Sequence, residues 1–295
     1  MSGWDKEIDL GFRGFAIAAA VAAVAVIAWT ILLGSRARSA PSRCPIGLEQ
    51  SGARCCAPGQ GLSEGHCVGP PQSCPDGMER VEAPQPGCVQ PAERIAIGGG
   101  SLTLGPTDWD SVDVVKKHIV AVRSFQIDQI EVTQHRYQEC VRAGVCSALE
   151  GSREPGLPVT SITAEHAETF CAFAGGRLPT PEEWIFAAAG AEARRFPWGT
   201  HGLVCRRAAY GLRRGPCSEG GATADLAGAR PDGKTPEGVL DLAGNVAELS
   251  RSARGVVGVH GGSFRSQQAS ELKSWSSGSV ARAADVGFRC VYAAH

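Results

Sequence analysis

Net charge is almost absent: 29 Lys and Arg stand against 30 Asp and Glu in 295 residues, a formal charge of -1. Such a chain has no field for collecting phosphate backbones. Its 24 Arg and 5 Lys are scattered, with pairs only at Arg194-Arg195, Arg206-Arg207 and Arg213-Arg214, so nucleic-acid partners are not expected. Aromatics are scarce at 6%, while 38 Gly and 18 Pro are many, which predicts much loop. Charged residues at 20% are too few for a disordered chain, and 43% hydrophobic residues suffice for a buried core. No C-x-x-C pair occurs among the 12 Cys, which counts against a zinc site. The length suits roughly two domains at about 150 residues each.

What is present is a twenty-residue apolar run, Phe15 to Gly34, whose only polar side chain is that of Thr30. At the helical rise it matches one hydrocarbon thickness, and it is longer than the roughly 7–15 residues of a signal-peptide core. The segment 15–34 is therefore expected to be an uncleaved single-pass transmembrane helix behind a short tail, 1–14. Basic flanks do not orient it, because Lys6 and Arg13 face Arg36, Arg38 and Arg43. Cysteines do: all twelve follow the run, six in 44–88 and six in 140–290. Even numbers suit disulfides, so the tail is assigned to the cytoplasm and the remainder to a periplasmic or extracellular space.

Residues 41–92 form a small Cys-rich module holding Cys44, Cys55, Cys56, Cys67, Cys74 and Cys88. Its two stretches CPIGLE and CPDGMER read as an internal repeat. About fifty residues bury too little surface to stand alone, and disulfides are the usual remedy. Six Cys allow fifteen connectivities; the three that join Cys55 to Cys56 are strained, and the other twelve stay open. A spacer is the plainer role for such a module, a partner-binding knob the alternative.

From Ile95 onward the pattern is that of a globular domain. Residues 124–133 suggest a strand with an irregularity near Asp128, followed by a helix N-capped by Thr133 and stopped at Gly144. Cys140 and Cys146 bracket that stop and suit a loop-closing disulfide. A second helix is predicted over about 163–173, ended by Gly175-Gly176. Thr180-Pro181-Glu182-Glu183 is a capping box with Pro at the first helical position, which starts a third helix. The stretch 191–260 shows no helical period and reads as loops and short strands.

Ordered blocks across 94–295 carry a resemblance. They are Phe125-x-Ile127-Asp128, Phe170-Cys171, Gly175-Gly176-Arg177-Leu178-Pro179-Thr180-x-x-Glu183-Trp184, Phe196-Pro197-Trp198-Gly199, Asp241-Leu242-Ala243-Gly244-Asn245-Val246-Ala247-Glu248, Gly261-Gly262-Ser263-Phe264 and Gly287-Phe288-Arg289-Cys290. Their succession resembles the formylglycine-generating enzyme (sulfatase-modifying factor) family. The resemblance implies a C-type-lectin-like α+β fold with little regular secondary structure. It also implies two cysteine thiolates just after the GGS-aromatic motif, which bind copper and oxidise a substrate cysteine to formylglycine. Here Ser266 and Glu271 stand at those two positions. Hydroxyl and carboxylate do not replace a soft ligand pair for Cu(I), so copper is not expected and no catalytic residue is assigned.

The resemblance further implies a Cys171–Cys290 disulfide, and parity then pairs Cys140 with Cys146 and Cys205 with Cys217. A family calcium site maps onto Asp241, Gly244, Val246 and Glu248, whose oxygens suit a hard cation; the competing reading is a loop held by hydrogen bonds without metal. Two Trp that flank the motif's Glu in the family are Ala247 and Leu249 here. The seven His show no metal-binding cluster, and Ser270-x-x-Lys273 lacks the companion motifs of a serine acyl-enzyme.

The expected function is a membrane-anchored, externally exposed binding or assembly module without copper oxidase activity, its partner an unidentified protein or envelope component. The alternative is a cysteine-independent oxidoreductase or maturation enzyme of the same family; a purely structural envelope role is a third reading.

Overall fold

The computed structural model describes residues 44–52, 54–82, 85–104, 118–150, 154–202, 205–218, 223–278 and 283–294. The apolar segment 15–34 and the tail before it lie outside the described residues. Among the described residues, no helix is long and apolar enough to cross a membrane.

The Cys-rich stretch folds as three hairpins: β1 (Glu49–Ser51) with β2 (Arg54–Cys56), β3 (Gly61–Ser63) with β4 (His66–Val68), and β5 (Glu79–Val81) with β6 (Gly87–Val89). The disulfides are Cys44–Cys55, Cys56–Cys67 and Cys74–Cys88. Cys55 and Cys56 serve different bridges because neighbours on a strand point to opposite faces. The CPIG and CPDG repeats make the same turn, with Leu48 N–H on the Pro45 carbonyl and Met78 N–H on the Pro75 carbonyl, both at 3.0 Å. These hairpins are not a free spacer. Leu48, Ala57 and Cys88 share a buried cluster with Leu157, Leu226 and Ala229, and Arg54 pairs with buried Glu154 at 3.2 Å.

The rest is α+β with short strands. β10 (Phe125–Asp128) is the centre of an antiparallel sheet, between β7 (Arg94–Ile97) and β15 (Val291–Ala293). β8 (Gly100–Leu104) and β9 (His118–Val122) form a separate hairpin. A four-stranded sheet runs in the order β13 (Ser277–Gly278), β12 (Val257–His260), β11 (Ala247–Arg251), β14 (Val286–Gly287), with β11 and β14 parallel. The helices are α1 (Gln134–Arg142), α2 (Ala164–Phe173) and α3 (Pro181–Ala189).

Each helix begins on a threonine whose hydroxyl accepts an N3 amide: Thr133, Thr163 and Thr180. At α3 the box closes both ways, with Glu183 N–H on Thr180 Oγ1 at 3.2 Å and Thr180 N–H on Glu183 Oε2 at 2.9 Å. The strand at 124–133 is shorter than its apolar pattern predicts. It stops at Asp128, whose carboxylate accepts the Cys290 N–H and the Tyr292 hydroxyl, each at 3.0 Å, and so turns the chain away.

Disulfides also join Cys140 to Cys146, Cys171 to Cys290, and Cys205 to Cys217, so none of the twelve cysteines is free. One core packs Tyr137, Phe170 and Phe288 around Cys171–Cys290; a second packs Ile127, Phe186 and Val291 around Trp184. The first core packs α1 and α2, and the second packs α3, against the strands.

Candidate functional site

β12 ends in His260 and runs into Gly261 and Gly262, with φ of +85° and +66°. Glycine is required at 262: a Cβ there would stand 2.8 Å from the Glu271 carbonyl and 2.9 Å from Ser266 Oγ. The left-handed pair turns the chain into a knot of short bonds. Ser263 N–H donates to Ser266 Oγ at 3.1 Å, Ser266 N–H to the Ser263 carbonyl at 3.0 Å, and Ser263 Oγ to Asp285 at 2.6 Å. Glu271 sits in a 3-10 turn, Ala269–Leu272, and its Oε1 accepts the Gln267 and Gln268 amides at 3.2 and 3.0 Å.

A cavity of about 190 Å³ opens beside this knot, lined by Ala247, Val259, His260, Gly262, Ser266, Glu271 and Ser276 to Gly278. Both positions that the resemblance marks for sulfur thus face one cleft, and each is engaged in holding the turn. Ala247 on the same wall leaves the cleft open where a bulky aromatic would fill it.

His260 is the group in this cleft that sequence reasoning missed. Its ring stacks on Trp184 at 5.0 Å and 20°, and its Nε2 lies 2.9 Å from Ser250 Oγ on β11. Among the described residues Nδ1 has no hydrogen-bond partner. Burial holds the imidazole down to about 4, so it is neutral at pH 7. The signal that was available is its position directly before Gly261-Gly262.

Behind the cleft lies a buried charge cluster. Arg289, fully buried, uses all five N–H groups: Nε on Glu248 Oε2 and Nη2 on Oε1, both 2.6 Å, and the others on the Asp128, Gln129 and Leu240 carbonyls. Glu248 Oε2 also accepts Trp184 Nε1 at 2.8 Å, which locks the stacked Trp184–His260 pair to the cluster. Burial works against the guanidinium charge, and Glu248, Glu131 and Asp241 more than offset it. Burial, reinforced by Asp241, pushes the Glu131 carboxyl well above the usual carboxylate range. Burial likewise raises Asp241 to about 6. Asn245 ties three segments: Nδ2 donates to Glu131, Oδ1 accepts the Asp225 amide and its carbonyl accepts the Phe264 amide.

Of the candidate calcium ligands, Asp241 and Glu248 sit in this cluster with their carboxylates already engaged, while Gly244 packs against Ala209 and Val246 lies in the core with Phe264. Both Glu248 oxygens are on Arg289, and Asp241 Oδ2 accepts the Gly228 amide at 2.5 Å. Among the described residues, no group of three or more His, Cys, Asp or Glu converges as a metal site. The set does not fit Ca²⁺ as it stands: a cation shared by Asp241 and Glu248 would compete with a guanidinium at 2.6 Å.

The chain matches the model of the sulfatase-modifying factor enzyme 1-like domain over residues 80–294. It is 34% identical over 220 residues to the formylglycine-generating enzyme of Mycobacterium tuberculosis, which covers 53% of this chain and 72% of that protein. It is 36% identical over 102 residues to the inactive C-alpha-formylglycine-generating enzyme 2 of Mus musculus, covering 32% of each chain. The chain spans about a third or less of the length of several other curated relatives that it matches. Among solved structures, Treponema denticola variable protein 1 is similar in fold, with a TM-score of 0.56 at 19% identity over 74% of this chain and 99% of that one.

Proposed function

The chain belongs to the sulfatase-modifying factor enzyme 1-like family, and from that premise we propose that it is a membrane-anchored, externally exposed member that binds a ligand or partner in the family cleft without performing copper-dependent cysteine oxidation. The observation that carries this reading is the sulfur inventory. Every cysteine is consumed in a disulfide, while Ser266 and Glu271 hold the turn at the cleft. Cu(I) needs soft donors, and neither side chain is one. The existence of a relative named inactive supports the reading. So does the cleft itself, a cavity rather than a filled scar.

The anchor rests on the apolar run 15–34, and the outside location on six disulfides, which persist in oxidising compartments. The loop that resembles a calcium site is held by the Arg289 guanidinium in place of a metal.

A second reading, a cysteine-independent enzyme of the family, is favoured by the Ser250–His260 pair, a neutral imidazole at the cleft wall within 2.9 Å of a hydroxyl. One experiment tests both. The purified full chain is incubated with cysteine-containing peptides, O₂ and Cu(I), with oxygen uptake and peptide mass followed. The expected result is no formylglycine and no tight copper binding. A formylglycine product overturns the first reading; oxygen uptake or a peptide mass change that survives copper removal and is lost in His260→Asn supports the second.

A further inference from the structure

A second cavity, about 270 Å³, is lined by Arg213, Arg214, Arg265 and Gln267. We propose that these three guanidiniums form a binding site for a tetrahedral oxyanion, the phosphate or sulfate group of a small organic ester. The three guanidiniums are exposed and converge on one concavity, and Arg213, Arg214 and Arg265 have no ion-pair partner among the described residues, so an anion seated there would meet three donors at once. Arg136, Arg177, Arg230 and Arg251 each lie on a carboxylate, while Arg94 and Arg142 donate only to carbonyls, so what sets this trio apart is its convergence on one cavity.

The backbone beneath the site is fixed. Leu212 N–H donates to the Phe264 carbonyl at 3.0 Å, which sets the Arg213-Arg214 dipeptide beside Arg265. The Cys205–Cys217 disulfide closes the arginine loop, Gly215 N–H donates to the Gly211 carbonyl at 2.7 Å, and Ser218 Oγ donates to the Arg213 carbonyl at 3.2 Å. Gly211 has φ of +57° and packs directly on Gly215 and Pro216, where a Cβ has no room. On the other wall, Arg265 stacks over Phe264 at 5.4 Å, and its N–H is held by Ser263 Oγ at 3.1 Å. The chain alternates here: Ser266 faces the family cleft, while its neighbours Arg265 and Gln267 face the arginine cavity.

The ligand class follows from donor geometry. A guanidinium presents parallel N–H groups that match two oxygens of a phosphate or sulfate, and Gln267 adds a neutral amide donor. Arg265 also lines an adjacent cavity of about 160 Å³ with Leu157, Pro158, Thr160 and Phe264. Its wall, which also carries His66 and Gln134, mixes apolar, hydroxyl and amide groups and gives the organic part of an ester a place beside its charged group.

The test is calorimetric titration of the full chain, at ionic strength held constant with NaCl, using inorganic phosphate, inorganic sulfate, phenyl phosphate and phenyl sulfate. Saturable binding of the phosphate or the sulfate series is expected, with the preference between series identifying the anion. Arg214→Gln combined with Arg265→Gln is expected to weaken it about tenfold or more, as loss of two charge-assisted pairs requires. Arg206→Gln, an exposed arginine paired with Asp232, leaves it unchanged. The single Arg213→Gln and Arg214→Gln variants change exposed side chains only and serve if the double variant is unstable. Heat that does not saturate, equal binding in folded arginine variants, or binding of a sulfated polymer alone would overturn the proposal.

Discussion

Arg289 and Glu248 meet as a fully buried bidentate pair, Nε on Oε2 and Nη2 on Oε1 at 2.6 Å each, with the guanidinium 0% and the carboxylate 1% exposed. Arg289 follows β14 and Glu248 lies on β11, the parallel pair of the four-stranded sheet. Removing one partner strands the other as an uncompensated buried charge. Arg289→Met is therefore expected to destabilise by about 3–5 kcal/mol, read as a shift in urea midpoint. Joint replacement of Arg289 and Glu248 by apolar residues is expected to cost less than the sum of the single changes, which a double-mutant cycle checks.

That pair also bears on metal dependence. Because Glu248 already has its cation, adding CaCl₂ or EDTA is expected to leave the thermal midpoint unchanged. A midpoint that climbs with Ca²⁺ concentration, as mass action on a native-state site demands, contradicts the guanidinium-held loop.

His260 gives the fold an acid-sensitive point. Its folded value, about 4, lies below the 6.5 of a free imidazole. Well above pH 6.5 neither state is protonated and the group adds no slope. As pH falls below 6.5 the unfolded chain takes up the proton first, so stability is lost progressively down to about pH 4. The full loss is on the order of 3 kcal/mol. Comparison of wild type with His260→Asn by urea unfolding between pH 7 and pH 4.5 isolates this contribution; identical pH slopes would remove it.

Cys171–Cys290 closes a separation of 119 residues and lies in the core with Phe170 and Phe288. Replacing both cysteines by Ala is expected to cost about 2–5 kcal/mol, more than the same change at Cys140–Cys146, which spans only 6 residues. Thermal denaturation of the two variants ranks them; the reverse order contradicts the chain-constraint explanation.

What could be read from sequence was local. The capping box at Thr180 and Glu183 is visible because its two hydrogen bonds join residues three apart. The repeated CPIG and CPDG turns are visible because each closes over four consecutive residues, Pro45–Leu48 and Pro75–Met78. The irregularity expected near Asp128 is where the strand ends, though the alternation of Ile130 and Val132 suggests that it runs on; the break comes from Cys290 and Tyr292, over 160 residues away. His260 was hidden for the same reason: Trp184 and Ser250 make its environment, and neither is near it in sequence. Ser266 and Glu271 were legible as substitutions, whereas their hydrogen-bonding duty in the turn required the folded backbone.

The most direct test is a thiol count. The full chain, isolated without reductant, is unfolded in guanidinium chloride with excess iodoacetamide, and its intact mass is measured. No alkylation is expected, since all twelve cysteines are bridged. Two or more adducts would mean free thiols, the soft donors that Cu(I) needs, and would contradict the sulfur inventory on which the non-oxidase reading rests.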